Sequence, residues 1–136
     1  MTLRALPLAA LLLTCPVTIT DAKPEDQAAR ASSARIKKCI GPSGVTSDMR
    51  NCTIKEAGRL EATLQTTLDA LTERLEPGQA KAVREAQEAW LSSVKASCGL
   101  WHELHRGTMY LVIADGCYVD AYLDRLRFLK SVSPDP

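Results

Sequence analysis

Apolar residues recur at three- and four-residue steps in three stretches of the chain, and each stretch predicts an amphipathic helix. The first runs Ile54, Ala57, Leu60, Leu64, Leu68, Leu71 and Leu75. This spacing aligns one apolar stripe while Lys55, Arg59, Glu73 and Arg74 face elsewhere. Pro77-Gly78 interrupts it. The second stripe is Val83, Ala86, Trp90, Val94, Ser97, Trp101 and Leu104, and Gly107 marks its end because glycine takes the left-handed conformation that closes helices. The third uses Val119, Tyr122, Leu123, Leu126 and Leu129. Between the last two, residues 109–114 are rich in branched side chains, but a lone strand would have no partner, so they read as loop or helix start. The pattern predicts an all-α fold: a small antiparallel bundle of three main helices running up, down, up.

Outside the stripes the chain changes character. Residues 41–47 are turn chemistry, with Ser47 or Asp48 placed to cap the helix that follows. Residues 23–34 are polar, which predicts a leader that is loose or briefly helical, with order beginning near Ile36. Residues 1–4 form a short basic start, 5–14 an apolar run, and Thr20-Asp21-Ala22 offers small residues where a signal peptidase reads them. Even 5–20 is shorter than the roughly 20 apolar residues a bilayer needs, and it contains Pro7 and Pro16. Cys15 raises the rival reading of a lipoprotein signal; Thr14 before it and Pro16 after it speak against that. The expected organisation is a signal peptide at 1–22, a loose leader at 23–35, a helical domain at 36–130 and a fraying tail at 131–136. The expected location is periplasmic or secreted.

Export changes how the cysteines are read. An oxidising compartment makes Cys39, Cys52, Cys98 and Cys117 a disulfide framework, here of two bridges. Cys98 lies nine residues before Gly107 and Cys117 ten after it. At about 1.5 Å of rise per residue they are level across one hairpin. Cys39 and Cys52 flank the turn at 41–47, and closing that loop ties the N-terminal segment to the first main helix. Cys39 with Cys52 and Cys98 with Cys117 is therefore the first choice. Cys52 counted back from Pro77 also falls within a turn of the level of Cys98, so the other two connectivities stay open.

Charge and chemistry narrow the picture by subtraction. The net charge is +1 with both signs mixed along every segment, without the basic stripe that would point to nucleic acid. Cys98, His102 and His105 share a helical face, and Trp101-His-Glu-Leu-His105 echoes a zinc protease. That motif needs histidines four apart, and Arg106 stands where the second should be. No metal, cofactor or catalytic residue is assigned. Trp90 on its stripe reads as core packing, and Gln87 one turn earlier as a hydrogen bond to a neighbouring helix. Arg125 reads as a clamp on an acidic side chain such as Glu61 or Glu88, or as an exposed contact.

Met49-Arg-Asn-Cys52, the helix through Glu61 and Leu64, Ala86-Gln87-Glu-Ala-Trp90-Leu, Cys98, Gly107-Thr108, Cys117, Arg125 and Leu129 together resemble the LprI lysozyme-inhibitor family of exported bacterial proteins. The Met-x-x-Cys and Gln-x-x-Trp pieces carry most of the resemblance, making Met49, Gln87, Trp90 and Arg125 its structural motif. Departures stand at Leu64-Gln65 and Leu68, where relatives often have Leu-Asn and then Tyr, at Lys95-Ala96 in place of Arg-Asp, and at Arg106-Gly107-Thr108 in place of Gly-Gly-Ser. The resemblance implies a small disulfide-bonded helical protein and a protein partner, lysozyme or another cell-wall hydrolase. Such enzymes cleave with acidic residues in a groove, which a stapled loop bearing a cation can plug. Lys37, Lys38 and Arg50 near the first staple, and Arg106 at the hairpin tip, are the candidate contacts. The alternative is a structural or adaptor protein of the envelope that holds another exported protein by a helix face.

Overall fold

The structure, a computed structural model, describes residues 24–133, with side chains from Gln27 onward. The expected signal peptide, Cys15 and the last three residues of the tail lie outside the described residues. Among the described residues four helices form, α1 (Pro24–Ile40), α2 (Thr46–Thr72), α3 (Pro77–Leu104) and α4 (Thr108–Ser131). The predicted count of three is therefore corrected to four. The extra helix is α1, whose 17 residues begin in the leader expected to be loose or briefly helical and run on to Ile40. Its sequence carries no apolar stripe because what docks it on α2 is a disulfide, an ion pair and a few small contacts, among them buried Ser32 and half-buried Ile36. Residues 109–114 are the opening turns of α4.

Local chemistry sets the helix ends. Pro77 stands in the first turn of α3, and Glu76 and Gln79 exchange hydrogen bonds in a capping box. The cap of α2 is Val45, not Ser47 or Asp48; the Asp48 carboxylate accepts instead from the Ser43 hydroxyl, which closes the turn in front of the helix. Gly107, expected to close α3, opens α4 at φ 114° and ψ 150°, a conformation essentially reserved for glycine.

α2 and α4 make the central pair, with Leu60, Leu64, Leu68 and Leu71 packed against Val119, Tyr122 and Leu129. α1 lies on α2 and α3 mainly on α4. Three large apolar members of the predicted stripes escape burial: Ile54 is 48% exposed, Trp101 41% and Leu104 72%. The last turns of α3 extend past the region where a neighbouring helix covers them, and in α2 Ile54 stands in water although Cys52, Thr53 and Glu56 around it are buried, so spacing alone overstated the core there.

Cys39 bonds Cys52 with Cα atoms 5.7 Å apart, and Cys98 bonds Cys117 at 5.6 Å. The first-choice pairing is the one present. Together with Arg50 Nε donating to Asp115 Oδ2 at 2.8 Å, these links register α1 and α3 antiparallel to their neighbours and α2 parallel to α4. Both disulfides thus sit at the end of the bundle that holds the α1–α2 and α3–α4 turns. Next to the first of them Glu56, 4% exposed, accepts from Arg35 at 2.7–3.1 Å and from Arg59 at 2.8–3.0 Å. Burial pushes the Glu56 carboxyl up, but the hydrogen bonds from Arg59 and Arg35 outweigh it and hold the group at about 2. Because the folded value lies below the ordinary one, the stability it contributes is complete above the usual carboxylate range and is lost as pH falls toward 2. Chemical denaturation across that range should lose no more than about 3 kcal/mol from this group. Glu56→Gln should cost about 2 kcal/mol at neutral pH and flatten the acid limb; an unchanged limb would show that the carboxylate is not what titrates.

Candidate functional site

The disulfide-bearing end gathers most of the candidate residues. Lys37 and Lys38 occupy the exposed last turn of α1. Met49 lies in the opening turns of α2, half-buried, its carbonyl accepting from the Thr53 hydroxyl at 2.8 Å. Arg50 is committed elsewhere: its ion pair with Asp115, whose side chain is largely buried, joins α2 to α4 and leaves it a structural link more than a free contact. Arg106 is exposed in the α3–α4 turn and, among the described residues, has neither a hydrogen bond nor an ion pair.

Around Arg106 the turn presents side chains that the stripes assigned to the interior or left unassigned. Leu100, Trp101, Leu104 and Met109 are all exposed. The His105 ring stacks on Tyr110 at 4.5 Å between centroids and lies 5.9 Å from Trp101, which stiffens the turn from within. Cys98–Cys117 closes the base of the same hairpin. Cys98 is thereby spent in a disulfide and His105 in a ring stack, so the face that suggested metal ligands serves the shape of this tip. The sequence placed Arg106 at the tip but missed the exposed Trp101 and Leu104 beside it, because a tryptophan or leucine at helical spacing signals burial; the signal available was the glycine and the cluster of rings on both sides of it.

Away from this end, Gln87, Trp90 and Arg125 form one knot between α3 and α4. Arg125 Nε donates to Gln87 Oε1 at 2.8 Å, and its guanidinium lies 5.2 Å from the Trp90 ring centre and 4.9 Å from that of Phe128. Trp90 meets Tyr122 at 6.0 Å and packs against the core. The expected acidic partner, Glu61 or Glu88, is replaced by an amide and two ring faces. Partial burial pushes the Arg125 guanidinium down from its ordinary value, and the rings supply attraction that the lost water no longer gives. Leu68, where relatives often carry tyrosine, is buried among the core leucines.

Urea denaturation should show Arg125→Ala losing about 2 kcal/mol, with Arg125→Lys between it and the parent because an ammonium keeps the charge but neither the fork nor the flat face. A loss within error for Arg125→Ala would remove the knot from the stability of the fold. In comparisons with known proteins, the family model described as lysozyme inhibitor LprI matches residues 26–129, a span that takes in most of α1, all of α2 and α3 and most of α4. No curated protein and no solved structure matches the chain. The extent of the family match, over most of the described residues, means that the chain belongs to the LprI lysozyme-inhibitor family.

Proposed function

We propose that this protein is an exported, lysozyme-inhibitor-like binding protein that blocks a cell-wall hydrolase by occupying its groove, with the α3–α4 tip as the inserted element. One observation carries the reading: Arg106, a cation without an internal partner among the described residues, stands among exposed Trp101, Leu104 and Met109 on a turn braced by Cys98–Cys117. Tryptophan and arginine are the residue types that most often dominate binding energy, and a stiff turn loses little freedom on docking. The acidic residues with which such hydrolases cleave supply the complementary charge. Lys37 and Lys38 belong to the same end of the bundle and serve as a rim, whereas Arg50 is held by Asp115. A net charge of +1 gives no long-range steering toward a basic lysozyme, so the affinity of this complex rests on short-range contact.

The exposed leucine and methionine of the tip also suit the second reading, an envelope adaptor that grips another exported protein through an apolar face. Cell-wall lysis by several lysozyme classes, with and without the oxidised protein, separates the two. Inhibition is expected in a dose-dependent form, weakened roughly thirtyfold by Arg106→Ala or Trp101→Ala and much less by Lys37→Ala/Lys38→Ala. Protection against no class of enzyme would sink the inhibitor and leave the adaptor. Inhibition untouched by both tip substitutions would move the contact away from the tip.

A further inference from the structure

On the same end, but on the α1–α2 side, lies a groove of about 460 Å³ whose wall is the Cys39–Cys52 disulfide and whose rim is Arg35, Lys38, Lys55 and Arg59 around Glu56. Four cations face one carboxylate, a local surplus of three positive charges in a chain whose net charge is only +1. The lysines are free: neither Lys38 nor Lys55 has a hydrogen bond or ion pair among the described residues. The arginines are fixed. Each gives Nε and Nη2 to buried Glu56, which sets the plane of both guanidiniums while their Nη1 groups take no part in the pair. Both arginines serve the buried carboxylate, but the two lysines on the same concave surface meet no partner among the described residues. Their mutual repulsion is a standing cost that an anion in the groove would relieve.

From this arrangement we infer that the groove is a binding site for the dianion of a phosphate monoester, carried either by a soluble phosphorylated compound or by a lipid whose headgroup ends in a phosphomonoester. Several oxygens on one compact anion match planar forks and ammonium donors converging from α1 and α2, and a double charge meets the surplus better than a single carboxylate. The wall of disulfide and methylene stems gives the remainder of the ligand an apolar surface to lie on. This site shares Lys38 with the rim of the proposed hydrolase contact but depends on neither the α3–α4 tip nor the inhibitor reading.

The test is a titration of the oxidised protein, followed by backbone amide and arginine Nε–H resonances, with inorganic phosphate at constant ionic strength. Saturable shifts are expected at Arg35, Lys38, Lys55 and Arg59. Lys38→Ala/Lys55→Ala should weaken binding by at least about tenfold, while Lys95→Ala and Arg106→Ala leave it unchanged. Acetate, a monoanion, should act more weakly. Co-sedimentation with mixed phosphatidic acid–phosphatidylcholine vesicles, displaced by phosphate, would assign the ligand to a headgroup. Phosphate binding without vesicle binding would assign it to a soluble compound, and both outcomes support the site. The inference is overturned if no saturable shift reaches this groove at tens of millimolar phosphate, if acetate acts as strongly, or if Lys95→Ala weakens binding as much as the groove substitutions.

Discussion

Two disulfides close the bundle at the end where its apolar core has run out, and the rest of the molecule is arranged around that fact. The core leucines of α2 and their partners on α4 occupy the other part of the central pair. Beyond them the buried positions turn polar or small: Thr53, Glu56, Cys52, Cys98 and Ala114. Such an end cannot cohere by hydrophobic burial, because a chain of this size has little apolar surface to spare once the core is filled. Cross-links between residues 13 and 19 positions apart remove freedom from the unfolded chain, worth about 3 kcal/mol each on the entropic account. They hold the turns without asking the turns to bury anything. Exposed rings and unpaired cations can therefore collect there.

Buried or half-buried charge is handled in two different ways. Glu56 is enclosed and receives two guanidiniums, so its ionised form is held far below the usual range and its desolvation is offset by charge-assisted hydrogen bonds. Arg125 meets no carboxylate and is accommodated by an amide oxygen and the faces of Trp90 and Phe128. The first arrangement over-supplies cations and leaves some of them facing a groove. The second consumes its cation completely and stitches α3 to α4. That contrast is why the family motif residues Gln87, Trp90 and Arg125 read as framework, while the α1–α2 corner and the α3–α4 tip read as surface with chemistry to spare.

The two surfaces divide the end between them. The tip offers rings, aliphatic side chains and a single cation on a stiff turn, the composition of a protein contact. The groove offers converging cations over a mostly apolar wall, the composition of a site for a small anion. Arg50–Asp115 runs between the helices that carry them and fixes their relation through the central pair.

Much of the fold was legible in one dimension. Leu60, Leu64, Leu68 and Leu71 announce α2 because burial repeats with the helical period, and Gly107 announces a turn because few other residues tolerate its backbone. Cys98 and Cys117 could be matched because two helices joined by a short turn run in register from it. The α1 helix was not legible, since residues docked by one disulfide and one ion pair leave no periodic trace. Neither was the fate of Ile54, Trp101 and Leu104, which share the spacing of buried neighbours yet stand in water. Periodicity reports which face of a helix is apolar, whereas only the tertiary structure sets how far along that face another helix reaches. The partners of Arg35, Arg50, Arg59 and Arg125 follow the same rule: a charged side chain advertises its charge in the sequence, but its partner is chosen by what the packing of distant helices brings within about 3 Å.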